Sequence, residues 1–596
     1  MKLPILKQNS IFILFFIIVA LLGIQKHNKA GIFNYHSQLW ADRAGYYVYL
    51  PATFIYGFHT DEFPDDIDHK TGDGFTLNEA NHKVFTKYTS GVALMFLPFF
   101  LLAHLIASIF GLEPNGFSQI YHDFTNIGAA FYLTIGFVFL KKFLDNYVKT
   151  WISFFTVFIL FFSTNLFYYS VSDPFMSHVY SFSLFAVLLY LFKKIIKEKK
   201  ASIFERIALA VVTALIILIR PLNILFIGFV FLIELKSFNE FITRLRFFLQ
   251  AKIFIFFVIA FTIIFTPQFL YWHFLSGNFI YYSYENEGFI NRLSPKILEV
   301  LFSTNNGLFT YTPIYLIVII SAFAVVFRKN LFGSLVLILF LILTYFCASW
   351  HAWHFGCSFG QRSYVEYSAF FIIPLAILLE HLFNIRKKIL SYLIVVFFLS
   401  ASYINIRLVY GYDTCFYGST WDWKEFKNYF DRTKMFGFTS NSYTFFTSFD
   451  EDYEVKYYSS NNSVQDTVIA YSLPNISKID SEHKHSAGFS GKLRTIGHRQ
   501  INRVDIEFYT LSNNLDSINL VCSVDSADII QIYNAVSLKT LADESKEWKK
   551  ISYSFELQKE INRDFFLKIY IWNQSIRNEA LIDNFKIKFD YSTSER

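Results

Sequence analysis

Hydrophobic positions fall in long, nearly unbroken runs over the first two thirds of the chain and in short alternating runs over the last third. The long runs begin at Ile11–Ile24 and recur at 92–110, 124–140, 151–170, 175–192, 205–219, 221–235, 251–270, 312–327, 331–349, 364–383 and 389–405. Such lengths suit helices that cross the apolar core of a bilayer, which takes about 20 residues, and they predict about 11 to 13 transmembrane helices. Pro98 interrupts its run early. Arg220-Pro221 divides what would otherwise be one overlong span, because proline ends the helix before it and suits the first turn of the next. Between the first two runs lies a long outer segment, residues 30–90. Its part from Ala44 to Phe58 is apolar and Tyr-rich, and Thr60–His82 is acidic with glycines.

Beyond about residue 430 the period becomes two. Val504, Ile506 and Phe508 alternate with polar residues, as do Ile518, Leu520, Cys522 and Val524. So do Ile551, Tyr553, Phe555 and Leu557, then Leu567, Ile569 and Ile571, then Phe585, Ile587 and Phe589. This predicts antiparallel strands with one face buried, in a unit sized for a β-sandwich. The expected fold class is a polytopic α-helical membrane protein with a C-terminal extracytoplasmic β-sandwich. The expected divisions are a helical domain over 1–410, a linker over 411–430 and the β domain over 431–596.

Charge sets the orientation. Lys193 to Lys200 is the strongest cytoplasmic marker. Lys236 with Arg244 and Arg246, Arg328-Lys329 and Arg386–Lys388 repeat that sign on alternate loops. Arg220, 271–311, 350–363 and the C-terminus are then outside. Lys2 and Lys7 precede the first run and no small-residue cleavage pattern follows it, which predicts an uncleaved first helix. Placing 141–149 inside leaves 92–110 without a simple path downward, so that run is re-entrant or juxtamembrane, or one helix is miscounted.

Of 596 residues, 54% are hydrophobic and 17% charged, with 75 Phe, which excludes an ordinary soluble protein. The formal charge of +6 is spread over short loops, so it marks topology and not a nucleic-acid surface. Cys347, Cys357, Cys415 and Cys522 are too few and too irregular for a disulfide framework or a zinc signature.

The chemistry-bearing residues gather in the outer loops. Asp42 stands among aromatics and can orient or deprotonate an acceptor hydroxyl or amine. It can equally be a surface acid paired with its neighbour Arg43. Asp173 and His178 can line one cleft, or Asp173 can cap a helix before Pro174. Arg220 can bind a phosphate or simply end a span. In the loop from Trp350 to Glu366, Gln361 and Arg362 suit phosphate or sugar oxygens. His351 and His354, three apart, leave room for a divalent metal ion, and an aromatic interface belt explains them as well. Ser303–Pro313 reads as a tight turn leading into a helix.

Over about residues 10–410 the chain resembles the polytopic GT-C glycosyltransferase superfamily, in its bacterial branch related to protein mannosyltransferases and lipid A aminoarabinose transferases. The resemblance rests on Asp42 with Tyr46-Tyr47, Lys87-Tyr88, Asp173-Pro174, Arg220-Pro221, Ser303–Pro313 and Gly360-Gln361-Arg362, in that order across one bundle. It implies a GT-C-like bundle in a bacterial inner membrane and transfer of a sugar from a polyprenyl-phosphate donor. The acceptor would be an extracytoplasmic glycan, lipid or protein. Asp42 would take the catalytic acid position, and Lys87, Arg220 and Arg362 would hold the phosphate. Tyr46, Tyr88, Asp173, His178, His354 and Gln361 complete the expected substrate site. Many members carry two adjacent acids where this chain has Asp42-Arg43, which bears on metal dependence. The β domain resembles carbohydrate-binding jelly rolls. A transporter or flippase of lipid-linked sugars, and a non-enzymatic cell-envelope assembly factor, are the alternatives.

Overall fold

The computed structural model describes residues 5–591 apart from 35, 79–81, 199–201, 285–286, 386, 413–420, 433–441, 448–462, 466–474, 482, 487, 494–500, 527–528, 543–544, 558–560, 562–564 and 576. The chain forms two compact units, Met1–Met435 and Phe436–Arg596.

The first unit is helical. Its main helices are α1 (Ile5–Ala30), α2 (Asp42–Tyr47), α3 (Tyr49–Phe54), α4 (Gly91–Ile109), α5 (Gln119–Leu144), α6 (Thr150–Phe162), α7 (Leu166–Val171) and α8 (Ser177–Glu198). There follow α9 (Ile203–Ile219), α10 (Ile224–Phe231), α11 (Phe238–Phe248), α12 (Ala251–Ser276), α13 (Ile314–Phe327), α14 (Leu331–Ser349), α15 (Ile373–Asn384), α16 (Lys388–Gly411) and α17 (Trp423–Arg432). Among the described residues, seven helices are long and apolar enough to cross a membrane: α1, α4, α5, α8, α12, α14 and α16. Large apolar side chains such as Ile13, Leu14, Ile255, Ile263 and Leu393 remain exposed on them, as lipid contact requires.

The expectation of about 11 to 13 spans resolves into these seven and a set of shorter apolar helices that includes α6, α10 and α13. The shorter helices are 10–17 residues long, and one of them, α6, is short because of a break that hydropathy does not register. The run 151–170 is cut between α6 and α7 at Ser163–Asn165. Asn405 on α16 donates from Nδ2 to the carbonyls of Phe162 (3.0 Å) and Thr164 (2.9 Å). Backbone groups freed by the break are thereby satisfied within the bundle. Arg220 adopts an extended conformation between α9 and the 3₁₀ turn Pro221–Asn223, so the expected break is present.

Helix α4 bears on the parity conflict. Tyr49 Oη donates to the Tyr88 carbonyl just before α4 (2.6 Å), and Tyr56 Oη donates to the Asn115 carbonyl just after it (2.7 Å). Tyr47 meets Phe96 and Phe100 on the way. Both ends of α4 are tied to the α2–α3 segment and the helix runs beside it. By length and composition α4 is nonetheless one of the seven helices able to cross a membrane.

Helix α11 falls where the sequence suggested only a basic loop. Ser237 caps its start by accepting from the Glu240 amide (3.2 Å). Arg244 is buried and donates to the carbonyls of Phe231 (2.6 Å) and Ile233 (2.9 Å). That arginine closes a helix end and is more than a topology marker.

In the segment 30–90 the strands β1 (Thr76–Asn78) and β2 (Lys83–Phe85) pair antiparallel. The second unit consists of β3 (Ser442–Thr447), β4 (Ser463–Gln465), β5 (Asn475–Ile479), β6 (Phe489–Lys492), β7 (Ile501–Ser512), β8 (Ile518–Ser526), β9 (Ile529–Ser537), β10 (Ser545–Glu556), β11 (Phe566–Asn573) and β12 (Ala580–Tyr591). One antiparallel sheet has the order β10-β7-β12-β5-β4, with β3 also on β12, and the other has the order β6-β11-β8-β9. Phe489 on β6 meets Phe589 on β12 at 5.1 Å, so the two sheets share one core. Of the alternating residues read from the sequence, all are buried except Tyr553, which is partly so. Strand β9 was not anticipated. It lies at a sheet edge with Ile530 and Tyr533 exposed, so its apolar residues do not report a buried face.

Phe589→Ala should destabilise the second unit by about 3–5 kcal/mol. Denaturant unfolding of separately expressed residues 436–596, followed by circular dichroism, measures this.

Candidate functional site

The segment 30–90, the α6–α8 connection, the α9–α10 break and the loop after α14 surround a cavity of about 900 Å³. Asp42, Tyr46, Lys87, Tyr88, Asp173, His178, Arg220 and Arg362 all line it. Residues spread over some 320 positions of sequence therefore line one cavity.

Asp42 opens α2. Ala41 before it takes φ 49°, ψ −128°, a conformation that a residue with a Cβ adopts only under constraint. The constraint is packing: the Ala41 amide donates to the Thr71 carbonyl (2.7 Å), and Ala41 O lies against Gly74. A Cβ at Gly45 would meet Gly74 O and the Tyr88 ring, each at 2.4 Å, so this glycine permits the close approach of α2, the hairpin and Tyr88.

Each charged group at the wall has a partner, and several partners differ from those expected. Asp42 Oδ2 lies 3.0 Å from Arg362 Nη2. Arg43 instead pairs with Asp173. Consecutive residues on a helix point about 100° apart, so Asp42 and Arg43 cannot face one partner or readily face each other. Lys87 pairs with Glu287 at 2.5 Å and lies 5.7 Å from the rings of both Tyr88 and Tyr284. Arg220 Nη1 pairs with Glu366 Oε1 (2.7 Å), and His178 Nδ1 pairs with Glu366 Oε2 (2.8 Å). Glu287 and Glu366 were not singled out in the sequence. Each lies beside its cation only in the fold, so spacing carries no signal for them.

The loop that carries Arg362 is held from behind. Asn306, at φ 63°, turns the 303–313 segment as its Asn-Gly pair suggested. Its Nδ2 donates to the carbonyls of His354 and Gly356, both at 2.8 Å. Phe355, Gly356 and Gly360 all have positive φ, which bends the loop back on itself. Cys357, on the cavity wall, is disulfide-bonded. One bridge therefore exists in a chain with too few cysteines for a framework.

Two expected residues lie apart from the others. Gln361 is buried inside the loop, where Nε2 donates to the Trp353 carbonyl (3.2 Å). His354 accepts at Nδ1 from the Gly356 amide (3.0 Å), and it does not line the cavity. His351 does line it, but residues 351–354 form turns, so the two histidines share no helical face. Among the described residues, no group of three His, Cys, Asp or Glu is placed to hold a metal ion.

Electrostatics at Asp42 follow from this geometry. Burial alone would raise its carboxyl pKa, but Arg362, the Tyr88 hydroxyl and Lys87 together outweigh burial and hold it below the ordinary value. Tyr88 is pushed well above the usual phenol value, by burial first and then by the Asp42 charge. The arrangement is a fixed carboxylate beside several cations, with tyrosines as neutral hydrogen-bonding walls.

No protein-family model and no curated protein matches the chain. Among solved structures, carbohydrate-binding modules match about a quarter of the chain. A xylan-binding domain of Paenibacillus barcinonensis Xyn10C matches at 12% identity and TM-score 0.18, over 25% of this chain and 95% of that one. The second such domain matches at 14% identity and TM-score 0.19, over 25% and 99%. A family 16 carbohydrate-binding module matches at 11% identity and TM-score 0.16, over 21% and 84%.

Arg362 is the largest charge holding Asp42 ionised. Arg362→Gln removes the largest charge that favours the ionised form, so Asp42 should take up its proton at a higher pH than in the wild type. The carboxylate band in pH-difference infrared spectra, assigned by its loss in Asp42→Asn, reads the midpoint. An unmoved midpoint would contradict the pairing.

Proposed function

We propose that the helical unit is a GT-C-type glycosyltransferase. It moves a sugar from a polyprenyl-phosphate donor to an extracytoplasmic glycan, lipid or protein acceptor. The observation that carries this reading is the Asp42–Arg362 pair, 3.0 Å apart on a cavity that Lys87 and Arg220 also line. A phosphate leaving group has a low pKa, so its departure calls for compensation of negative charge more than for a proton. Fixed cations in an apolar setting provide that compensation. A carboxylate beside them can orient the acceptor and draw its proton as the new bond to the anomeric carbon forms. Arrival of phosphate would draw Arg362 partly away from Asp42 and leave the carboxylate freer to act. Aromatic and aliphatic residues such as Trp272, Ile280 and Phe346 line the same cavity and suit a polyprenyl chain.

The Cys357 disulfide supports an extracytoplasmic cavity, because such bonds persist in oxidising compartments and are reduced in the cytosol. The basic loops support the same orientation, in a bacterial inner membrane.

A second reading is a non-enzymatic cell-envelope factor in which the β unit holds carbohydrate. One observation favours it: Arg43, Lys87, Arg220 and Arg362 each already face a carboxylate, which describes a satisfied resting wall as well as a catalytic one.

Purified protein incubated with labelled polyprenyl-phosphate sugars and a cell-envelope extract should transfer label to an acceptor. Asp42→Asn should lower that transfer by about 10²–10⁴-fold while the protein still inserts in the membrane. Full activity in this variant removes Asp42 from the chemistry. Arg362→Gln should raise the donor KM by roughly tenfold and leave the acceptor KM nearly unchanged. Unaltered donor saturation counts against a phosphate role for Arg362.

A further inference from the structure

Between α12 and α13 the chain carries an apolar surface that the reading above does not use. Residues 288–296 are strapped to the end of α14. The Asn291 amide donates to the Ser349 carbonyl and the Lys296 amide to the Ala348 carbonyl, each at 3.0 Å. Asn291 Nδ2 donates to the Trp350 carbonyl (2.9 Å), and the His351 amide donates to the Gly288 carbonyl (2.9 Å). Carbonyls in the last turn of a helix have no partner within it, so the strap completes α14. The strap also gives the segment a level. Helix α14 is long and apolar enough to cross a membrane, and the strap lies at its C-terminal end.

The strap carries large aliphatic side chains that the protein leaves uncovered. Leu293 is 94% exposed, and Ile290 and Leu298 are each 71% exposed. Water disfavours such a patch. It is also continuous with the surface of α14. Leu331, Ile338, Leu341 and Tyr345 are the large apolar side chains left exposed on that helix, and their helical spacing puts them on one face. Tyr345 is the last of them, and its hydroxyl donates to the Arg292 carbonyl (3.1 Å). The face of α14 suited to lipid therefore runs directly into the strap. Tyrosine fits that level, with its ring apolar and its hydroxyl at the polar boundary. Arg292 is exposed beside Leu293. An arginine there can lay its stem on apolar surface and carry its guanidinium to lipid phosphates.

We propose that residues 289–298 are a lipid-binding foot, seated in the leaflet at the C-terminal end of α14, with Ile290, Leu293 and Leu298 among the acyl chains and Arg292 at the phosphates of phospholipid head groups. The foot depends on the helical unit lying in a membrane and on nothing in the transferase reading. Its position beside the cavity is defined. Phe289 packs against Phe346 (5.7 Å between ring centroids) and Trp350 (5.1 Å), and all three line the cavity. Lipid contact thus begins one residue from the cavity lining.

A depth measurement tests the foot. Ile290→Cys, Arg292→Cys, Leu293→Cys and Leu298→Cys are made singly in the full-length protein, spin-labelled and reconstituted in nanodiscs of phosphatidylcholine and phosphatidylglycerol. Relaxation of each label by oxygen, which concentrates in the bilayer, is compared with relaxation by a water-soluble nickel chelate. The free cysteines Cys347 and Cys522 are buried, and unsubstituted protein gives the labelling background. Leu341→Cys supplies the lipid reference, and exposed Glu579→Cys on the second unit supplies the water reference. The oxygen-to-nickel ratio at 290, 293 and 298 should exceed that of the Glu579 label about tenfold and approach that of the Leu341 label. The ratio at 292 should fall between the two references. Labels at 293 and 298 that behave as the Glu579 label does place the strap in water and overturn the foot. Labels immobilised and shielded from both reagents show a protein partner or a second copy on the patch, which also overturns it. A label at 292 deeper than that at 293 contradicts the head-group contact of Arg292. None of these outcomes changes with the presence or absence of sugar transfer.

Discussion

A charge brought to the edge of an apolar bundle has to be answered by another charge or by water. At the cavity wall of this protein that requirement is met by carboxylates: Asp173 on Arg43, Glu287 on Lys87, Glu366 on Arg220 and Asp42 on Arg362. The pairs join segments remote in sequence, so each also fixes the position of one loop against another. The wall combines high local charge with little net charge. An incoming anion can compete for its cations without meeting a bare positive surface that would attract every anion in the medium.

Backbone geometry holds these pairs in place. The Arg362 loop depends on Asn306 beneath it and on three residues at positive φ within it. Asp42 depends on Ala41 being held at an unfavoured φ and on Gly45 admitting Tyr88 and the hairpin. Positioning by packed backbone is more exacting than positioning by side-chain hydrogen bonds alone, because a shift on either side meets atoms directly.

Much of this was legible in the chain. Long apolar runs located the helices, and period-two alternation located five strands whose inward residues are buried, because both signals follow from burial repeating with a fixed geometry. Eight of the expected site residues line one cavity, since polar residues at the ends of apolar runs collect where the runs end together. What could not be read depends on three-dimensional adjacency. Glu366 and Glu287 are ordinary acids until Arg220 and Lys87 are beside them. The exchange of partners between Asp42 and Arg43 follows from helical rotation at α2, a six-residue helix too short to announce itself by period. The break at Ser163–Asn165 is invisible to hydropathy because Asn405, about 240 residues later, makes it tolerable.

The tie between α4 and the α2–α3 segment has a mechanical consequence. Asp42 begins α2, Lys87 stands four residues before α4, and Tyr46 and Tyr88 lock the two stretches together with ring centroids 4.4 Å apart. The acid and this cation therefore stand on one packed segment, at whose far end Leu105, Ile109 and Phe110 are exposed and apolar. Because Asp42 and Lys87 share that segment while Arg220 and Arg362 belong to other parts of the bundle, any movement of the segment would change both acid–cation spacings together.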